Sequence, residues 1–372
     1  NNETKSPKRT PRFCPQPPFR LQGPISWALV AGSAEALRGF AHAATVKTGL
    51  GGDKRKMGGS MDQAKLVALL VARGDVEHQE CVQLSATKFV PAAKWAGLKR
   101  YEQEFLRCYA IGVSAHKAVL IGRSAARALG LGVLIKEPEL VELAQRNGRP
   151  PSKSQWPDGV IYRNIPIPDM DILEHDAFDP AGGDGSIRLT TAPRTAVDIA
   201  RFHGVRDAVA AMDSLYREQT PFGQETIQLE LAATIDRLAG KKGVGLARWA
   251  LELSSVKSES PYESLFRTIL TELGIQPQEQ VWVGRRFRVD LLWGTLIIEI
   301  DGYMKFENMP HDEVMKMTRR ENWLKEQGYE VLHLFPVEII FDEAGCIRRL
   351  YAAKARADMR GAVSVPATPY RP

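Results

Sequence analysis

The sequence predicts an α/β protein: a mostly helical α+β region over residues 61–253, then a C-terminal unit over 259–361 in the order helix, three strands, helix, strand. Two observations carry this. From Ala192 to Leu253 apolar residues recur at helical spacing, and from Gln280 to Ile300 they recur at every second position, the period of strands. Helical patterns flank the strand-like segment on both sides.

Residues 1–60 read as a disordered, basic, proline-rich tail. Pro7, Pro11, Pro15, Pro17, Pro18 and Pro24 alternate with cations, and Gly51-Gly52 and Gly58-Gly59 follow. From Asp62, placed to cap a helix, Leu66, Leu69 and Leu70 share one face, and Gly74 can end it. Residues 75–110 are expected to be mostly helical, and 62–110 could hold a small helix-turn-helix or a plain helical packing unit. Ser114 to Leu129 reads as a helix. Arg149–Asp158 and Asp179–Gly185 read as loops, and Gly159–Asn164 and Ile187–Thr190 as strand pieces. Two helices follow Ala192 and meet at Gly204, a third spans Glu225–Ala239, and a fourth runs from Gly243 to about Leu253. Asp198 with Arg201 and Asp213 with Arg217 are spaced as solvated helix pairs. Ser254–Ser260 reads as a linker.

Ser260-Pro-Tyr-Glu263 opens the C-terminal unit: proline suits the first helical position, and Ser260 with Glu263 fits a capping box. Leu265, Phe266, Ile269, Leu270 and Leu273 form its apolar face, closed by Gly274. The strands are Gln280–Val283, then the two arms of a hairpin about Gly294-Thr295. If those two residues form the turn, opposed residues have numbers that sum to 589. Val289, Leu291, Ile298 and Ile300 then share the core face. Arg288 opposes Asp301, and Asp290 opposes Glu299, on the other face. Opposed like charges destabilise a sheet, so a cation, a proton or a basic neighbour must offset the Asp290–Glu299 pair. Two convergent carboxylates are also what a divalent metal needs. For Asp301 a cross-strand ion pair with Arg288 is the plainer reading, and for Glu263 the cap. A helix from near Pro310 carries Val314, Met317 and Leu324 inward, with Lys316, Arg319 and Arg320 on other faces. Gly328 ends it, Tyr329–Phe335 is a strand, and a last helix near Ala344–Met359 bears Arg348, Arg349, Lys354, Arg356 and Arg360. His311 and His333 stand alone.

Charge excludes little by itself. Residues 1–60 hold 10 Lys+Arg against 3 Asp+Glu, whereas the rest hold 40 against 41, so the pI of 9.1 belongs to the tail. No apolar run approaches the roughly 20 residues that cross a membrane, and Glu35 and Arg38 follow soon after the stretch nearest to a signal core, Pro24 to Ala34. Cys14, Cys81, Cys108 and Cys346 lack metal-ligand spacing, so no zinc site is expected, and a cytoplasmic location is the simplest.

The run Ser260-Pro-Tyr-Glu-Ser-Leu-Phe-Arg, with Gly274, Pro277, Gln280-Val, Arg288-Val-Asp-Leu-Leu-Trp, Ile298-Glu-Ile-Asp-Gly-Tyr-Met-Lys, Arg320-Glu, Leu324 and Gly328-Tyr-Glu-Val, resembles a bacterial family of PD-(D/E)XK proteins. That family is related to the very-short-patch mismatch repair endonucleases. The resemblance covers about 259–340 and implies a restriction-endonuclease-like domain, DNA as partner, and Mg²⁺ or Mn²⁺ as cofactor. It places Glu263, Asp290 and Glu299 at the acidic, metal-holding positions. Asp301 occupies the place of the usual lysine, and Lys305 sits where the family often has Lys or His. Arg288, Lys316, Arg319 and Arg320 are the DNA-contact candidates. Upstream, Ser124-Ala-Ala-Arg-Ala-Leu-Gly130 and Thr190-Thr-Ala-Pro-Arg-Thr-Ala-Val-Asp-Ile-Ala-Arg201 resemble AbiEi-like antitoxins and transcriptional regulators. That likeness implies a toxin–antitoxin or defence partner. The competing expectation is a DNA-binding regulator with a degenerate nuclease fold.

Overall fold

The computed structural model describes residues 62–72, 80–115, 117–176, 186–302 and 311–372. The expected tail over 1–60, the helix-closing Gly74, the 179–185 loop and Lys305 lie outside them, as does the side chain of His311.

The first segment departs from expectation. Helix α1 (Gln63–Val67) is capped by Asp62, whose Oδ1 accepts the Lys65 N–H at 3.1 Å. A small antiparallel sheet follows: β1 (Val71–Ala72), β2 (Cys81–Gln83) and β3 (Lys88–Pro91), in the order β1-β3-β2. Residues 80–91 are therefore a hairpin and not helix. The blurred helical period was a strand period: Lys88 and Val90 are buried and Phe89 and Pro91 half-buried, and the Ser85 Oγ receives the Lys88 N–H at the turn. Helices α2 (Ala92–Ala96) and α3 (Arg100–Ser114) complete this part.

The second correction concerns Ser114–Leu129. The chain leaves α3 at Ser114, forms strand β4 (Ala118–Leu120), and starts helix α4 (Gly122–Leu129) afterwards. A short, wholly buried apolar run has no periodicity to separate strand from helix. β4 is the middle strand of a sheet ordered β6-β5-β4-β8-β7, built with β5 (Val141–Gln145), β6 (Val160–Arg163), β7 (Ile172–Asp176) and β8 (Ser186–Thr190). Helices α5 (Ala192–His203), α6 (Val205–Tyr216), α7 (Pro221–Arg237) and α8 (Val244–Leu253) follow close to the expected positions. Their shared core includes Ile199, Val209, Met212, Leu231 and Ala247.

Helix α9 (Pro261–Glu272) then leads into β9 (Gln278–Val283), β10 (Phe287–Trp293), β11 (Leu296–Ile300), α10 (His311–Glu326) and β12 (Glu330–Leu334). Two further helices, α11 (Pro336–Phe341) and α12 (Glu343–Met359), and a short strand β13 (Ala367–Thr368) close the chain. The sheet order is β12-β11-β10-β9-β13, with β12 parallel to β11 and the other pairs antiparallel. Phe266 and Ile269 of α9, with Leu350 and Ala353 of α12, cover one face against Leu291, Ile298 and Ile300. Leu324 of α10 and Tyr329 cover the other against Val281, Val289, Leu292 and Ile297. The protein is thus mixed α/β, and residues Met61–Pro372 form one compact unit.

The segment Ser254–Ser260 is irregular but tied down: the Ser255 N–H donates to Asp213 at 2.7 Å. Helix α9 packs against α6, and Ala210 of α6 enters the same core as Phe266. The basic face of α12 is largely spoken for within the protein. Arg356 and Arg360 hold Glu330, Arg349 holds Glu338, and Lys354 pairs with Asp358 and lies over Trp293.

Candidate functional site

The hairpin turn forms as the sequence predicts. Gly294 has φ 64°, a left-handed conformation that the first residue of such a turn takes from glycine, and the pairs Leu291↔Ile298, Leu292↔Ile297 and Trp293↔Leu296 all obey the predicted register. The ladder between β10 and β11 stops at Leu291. Beyond it the Ile300 N–H donates to the Asp290 carboxylate at 3.0 Å.

On the other side of β10 the pairing with β9 is interrupted at the same place. Val289↔Val281 and Leu291↔Glu279 are paired, and between them stand Asp290 and Gln280. Gln280 has φ 53°, an uncommon conformation for a residue with a side chain, costing about 1–2 kcal/mol. The alternation breaks here too. Val289 belongs to the core under α10, whereas Leu291, two residues on, belongs to the core under α9. This corrects the expectation that Val289, Leu291, Ile298 and Ile300 share one face. A local break in the pleat shifts the side chains without shifting the register.

The break brings two carboxyl groups together. Glu263, in the first turn of α9, is buried, and the charge of Asp290 acts on it directly. Its Oε2 accepts the Glu259 N–H at 2.9 Å and the Gln280 amide at 2.9 Å. Ser260 caps the helix through the Glu263 N–H at 3.1 Å, but the return bond goes to Glu259 and not to Ser260. The capping box is therefore only half formed, and Glu263 is more than a cap. Burial, and then the Asp290 charge, push its carboxyl up to about 8, so it holds a proton at neutral pH. A cation also faces it. Arg217, just past α6, lowers the Glu263 pKa, and its Nε and Nη2 are buried without hydrogen-bond partners among the described residues. Burial pulls the Arg217 guanidinium below its ordinary value. No sequence pattern marked Arg217, which lies 46 positions before Glu263. Gln280 was legible only as a strand residue.

Glu299 has different company. Ile298 and Ile300 point into the α9 core, so Glu299 is on the α10 face, where Arg320 donates to its Oε1 at 2.7 Å. Arg320 also donates to the Arg288 carbonyl at 2.8 Å and lies over the Phe287 ring. Asp301 is buried and bonded to Nδ1 of His333 on β12. Arg288 pairs with Glu259. Lys316 and Arg319 are exposed on α10. The structure therefore joins Glu263 to Asp290, places Glu299 and Asp301 on other partners, and among the described residues gathers no group of three or more His, Cys, Asp or Glu that could hold a metal.

The upstream acids differ again. Of the two pairs expected to be solvated, Asp198–Arg201 forms but is buried, and Asp213 is buried against Arg267 and not paired with Arg217. Asp198 binds Arg194 at 2.8 Å and Arg201 at 2.6 Å, and Asp213 binds Arg267 of α9 at 2.7 Å. Tertiary packing covered these helix faces. Glu142 on β5 accepts from His203 Nε2 at 2.8 Å, from Arg163 at 2.5 Å, and from the Arg123 N–H at 3.1 Å. A Cβ on Gly122 would approach the Glu142 carboxylate to 2.6 Å, so only glycine fits where α4 meets this acid.

No helix among the described residues is long and apolar enough to cross a membrane. No family model, curated protein or solved structure matches the chain.

Proposed function

We propose that the C-terminal unit is a PD-(D/E)XK-like, metal-dependent endonuclease that hydrolyses phosphodiester bonds in DNA. The observation that carries this reading is the Glu263–Asp290 pair, two carboxyl groups in mutual repulsion where the β-sheet is broken, beside the Arg217 guanidinium, whose Nε and Nη2 have no hydrogen-bond partner among the described residues. Perturbed, desolvated acids of this kind concentrate at functional sites. The element order, helix, three strands, helix, strand, is the order that the resemblance implies.

The donor set fits a divalent cation held by two carboxylates and water, the usual habit of Mg²⁺. Glu263 and Asp290 would hold it, and Glu299 would join on release from Arg320. Bound there, Mg²⁺ or Mn²⁺ supplies water activation and charge neutralisation at the phosphate. The protein supplies the rest. The Ile300 N–H fixes Asp290, and Gln280 and the Glu259 N–H aim Glu263. Arg217 would offer a phosphate oxygen its Nε and Nη2, which have no hydrogen-bond partner among the described residues. Asp301, with His333, stands in place of the lysine that tunes the nucleophile. Lys316 and Arg319, exposed on α10, would face a DNA backbone.

Plasmid nicking with Mg²⁺ or Mn²⁺ tests the reading. Wild type is expected to nick, and Asp290→Ala to lose at least about 100-fold in rate, the scale of losing one essential catalytic group. Nicking that survives in Asp290→Ala sinks the assignment. A second reading, a non-catalytic AbiEi-like regulator that keeps the fold to bind DNA, draws on Asp301 in the lysine position and on Glu299 held by Arg320. It predicts no heat of Mg²⁺ binding and salt-sensitive retention of DNA.

A further inference from the structure

A cavity of about 630 Å³, none of whose lining residues belongs to the carboxylate centre, opens beside α5 and the end of α7. Five of its lining residues are cationic: Arg194, Arg201, Arg237, Lys241 and Lys242. Only Asp171 in the lining, and Asp198 behind it, oppose them. The arginines are braced by these acids. Arg194 bonds Asp171 at 2.6 Å and Asp198 at 2.8 Å, Arg237 bonds Asp171 at 2.6 Å, and Arg201 bonds Asp198 at 2.6 Å and the Lys242 carbonyl at 3.1 Å.

The bracing leaves nitrogens unspent. Among the described residues, no protein acceptor takes Nη2 of Arg194, Nη2 of Arg201, or Nη1 and Nε of Arg237. A guanidinium fork already fixed by a buried carboxylate loses little freedom on receiving a second oxyanion. Ile165, Pro166, Pro168, Met170 and Leu238 form the apolar part of the lining, with Pro166, Pro168 and Met170 exposed. The volume falls within the range of about 300–1,000 Å³ typical of small-ligand sites. A ligand that satisfies both sets of residues carries concentrated negative charge and a flat apolar body.

We propose that this cavity binds a nucleotide, its phosphates on Arg201, Arg237, Lys241 and Lys242 and its base against Pro166, Pro168 and Met170. The source is either a free nucleotide or one residue of a single strand, since the two share this chemistry. The site is independent of the carboxylate centre in the C-terminal unit.

Three probes test it on the full chain: ATP by calorimetry, a short single-stranded oligodeoxynucleotide by fluorescence anisotropy, and inorganic pyrophosphate by calorimetry. Saturable binding of ATP or the oligonucleotide is expected, and the tighter of the two identifies the source. Lys241 and Lys242 are exposed and their side chains brace nothing among the described residues, so Lys241→Glu/Lys242→Glu is expected to fold normally and to bind at least about tenfold more weakly. Met170→Asp is expected to weaken ATP and leave pyrophosphate nearly unchanged. Failure of both nucleotide probes to bind, or unchanged affinity in the double variant, overturns the proposal. Equal affinity for pyrophosphate and ATP overturns the assignment of the apolar lining to a base.

Discussion

Glu142 and Glu263 are both buried glutamates, one in each half of the compact unit, and their acidities move in opposite directions. Burial pushes each upward. At Glu142, His203 and Arg163 outweigh it and hold the carboxyl below its usual range. At Glu263, Asp290 adds to it, and the carboxyl rises to about 8. The difference teaches that depth does not decide the charge of a buried acid; the sign of its neighbours does. Glu142 is a structural anion, matched on every side. Glu263 is left in a state that a proton, or a cation, would relieve.

The largest expected effect tests the matched side. Glu142→Gln leaves Arg163 and His203 without their anion, and should cost about 3–5 kcal/mol in urea denaturation at neutral pH. A loss below about 1 kcal/mol would break the comparison, because Glu142 would then be no more committed than Glu263.

The pH dependence separates the two acids by sign. Glu142 is lowered in the folded state, so its contribution is present above the unfolded glutamate pKa and is lost as pH falls through the folded value. Glu263 is raised, so the folded state holds the extra proton. Its contribution is present below the unfolded pKa and is lost as pH rises toward about 8. Glu263→Gln should therefore be tolerated at neutral pH. Between pH 5 and 8 wild type should lose stability relative to this variant, by at most about 1.4 kcal/mol per pH unit. Parallel stability curves for the two proteins would remove the protonated-acid reading.

Asp290→Asn asks how much of the Glu263 shift is charge repulsion. Losing the neighbouring anion should move the end of that slope to lower pH, by roughly one unit. An unmoved slope would leave burial as the whole cause. The smallest effect is at Glu218, exposed, with φ 59°, directly after Arg217. Glu218→Gly relieves a left-handed conformation and should stabilise by up to about 1 kcal/mol without altering the slope. A change in the slope would show that the strain at Glu218 sets the position of Arg217.

Much of the C-terminal unit was legible. Proline at the first position of α9, the Gly294-Thr295 turn and the alternating apolar residues each fixed a local conformation, and the hairpin register followed from them. The site was legible only in part. Glu263 and Asp290 stood out as acids in a resembling motif, but the break at Asp290 and Gln280 did not, because alternation in the sequence continues smoothly through it. Helix–helix pairs misled for a related reason. The spacing of Asp198 and Arg201 describes one helix face and is silent on whether another element covers it. The hairpin over 80–91 and strand β4 were missed because short buried strands carry too few residues to display a period.

Local pattern by itself determined the α/β class, the helices from α5 to α9, and the turn that pairs β10 with β11. Those depend on backbone preferences within a few residues of each other. Tertiary structure decided which charge meets which. Asp213 finds Arg267, Asp171 finds Arg237, and Glu263 finds Asp290 with Arg217 beside it, across 27 to 66 positions of chain. Burial strengthens each of those meetings and removes water as an alternative partner. The chemistry of the acids was therefore set by packing, after the sequence had set the elements that carry them.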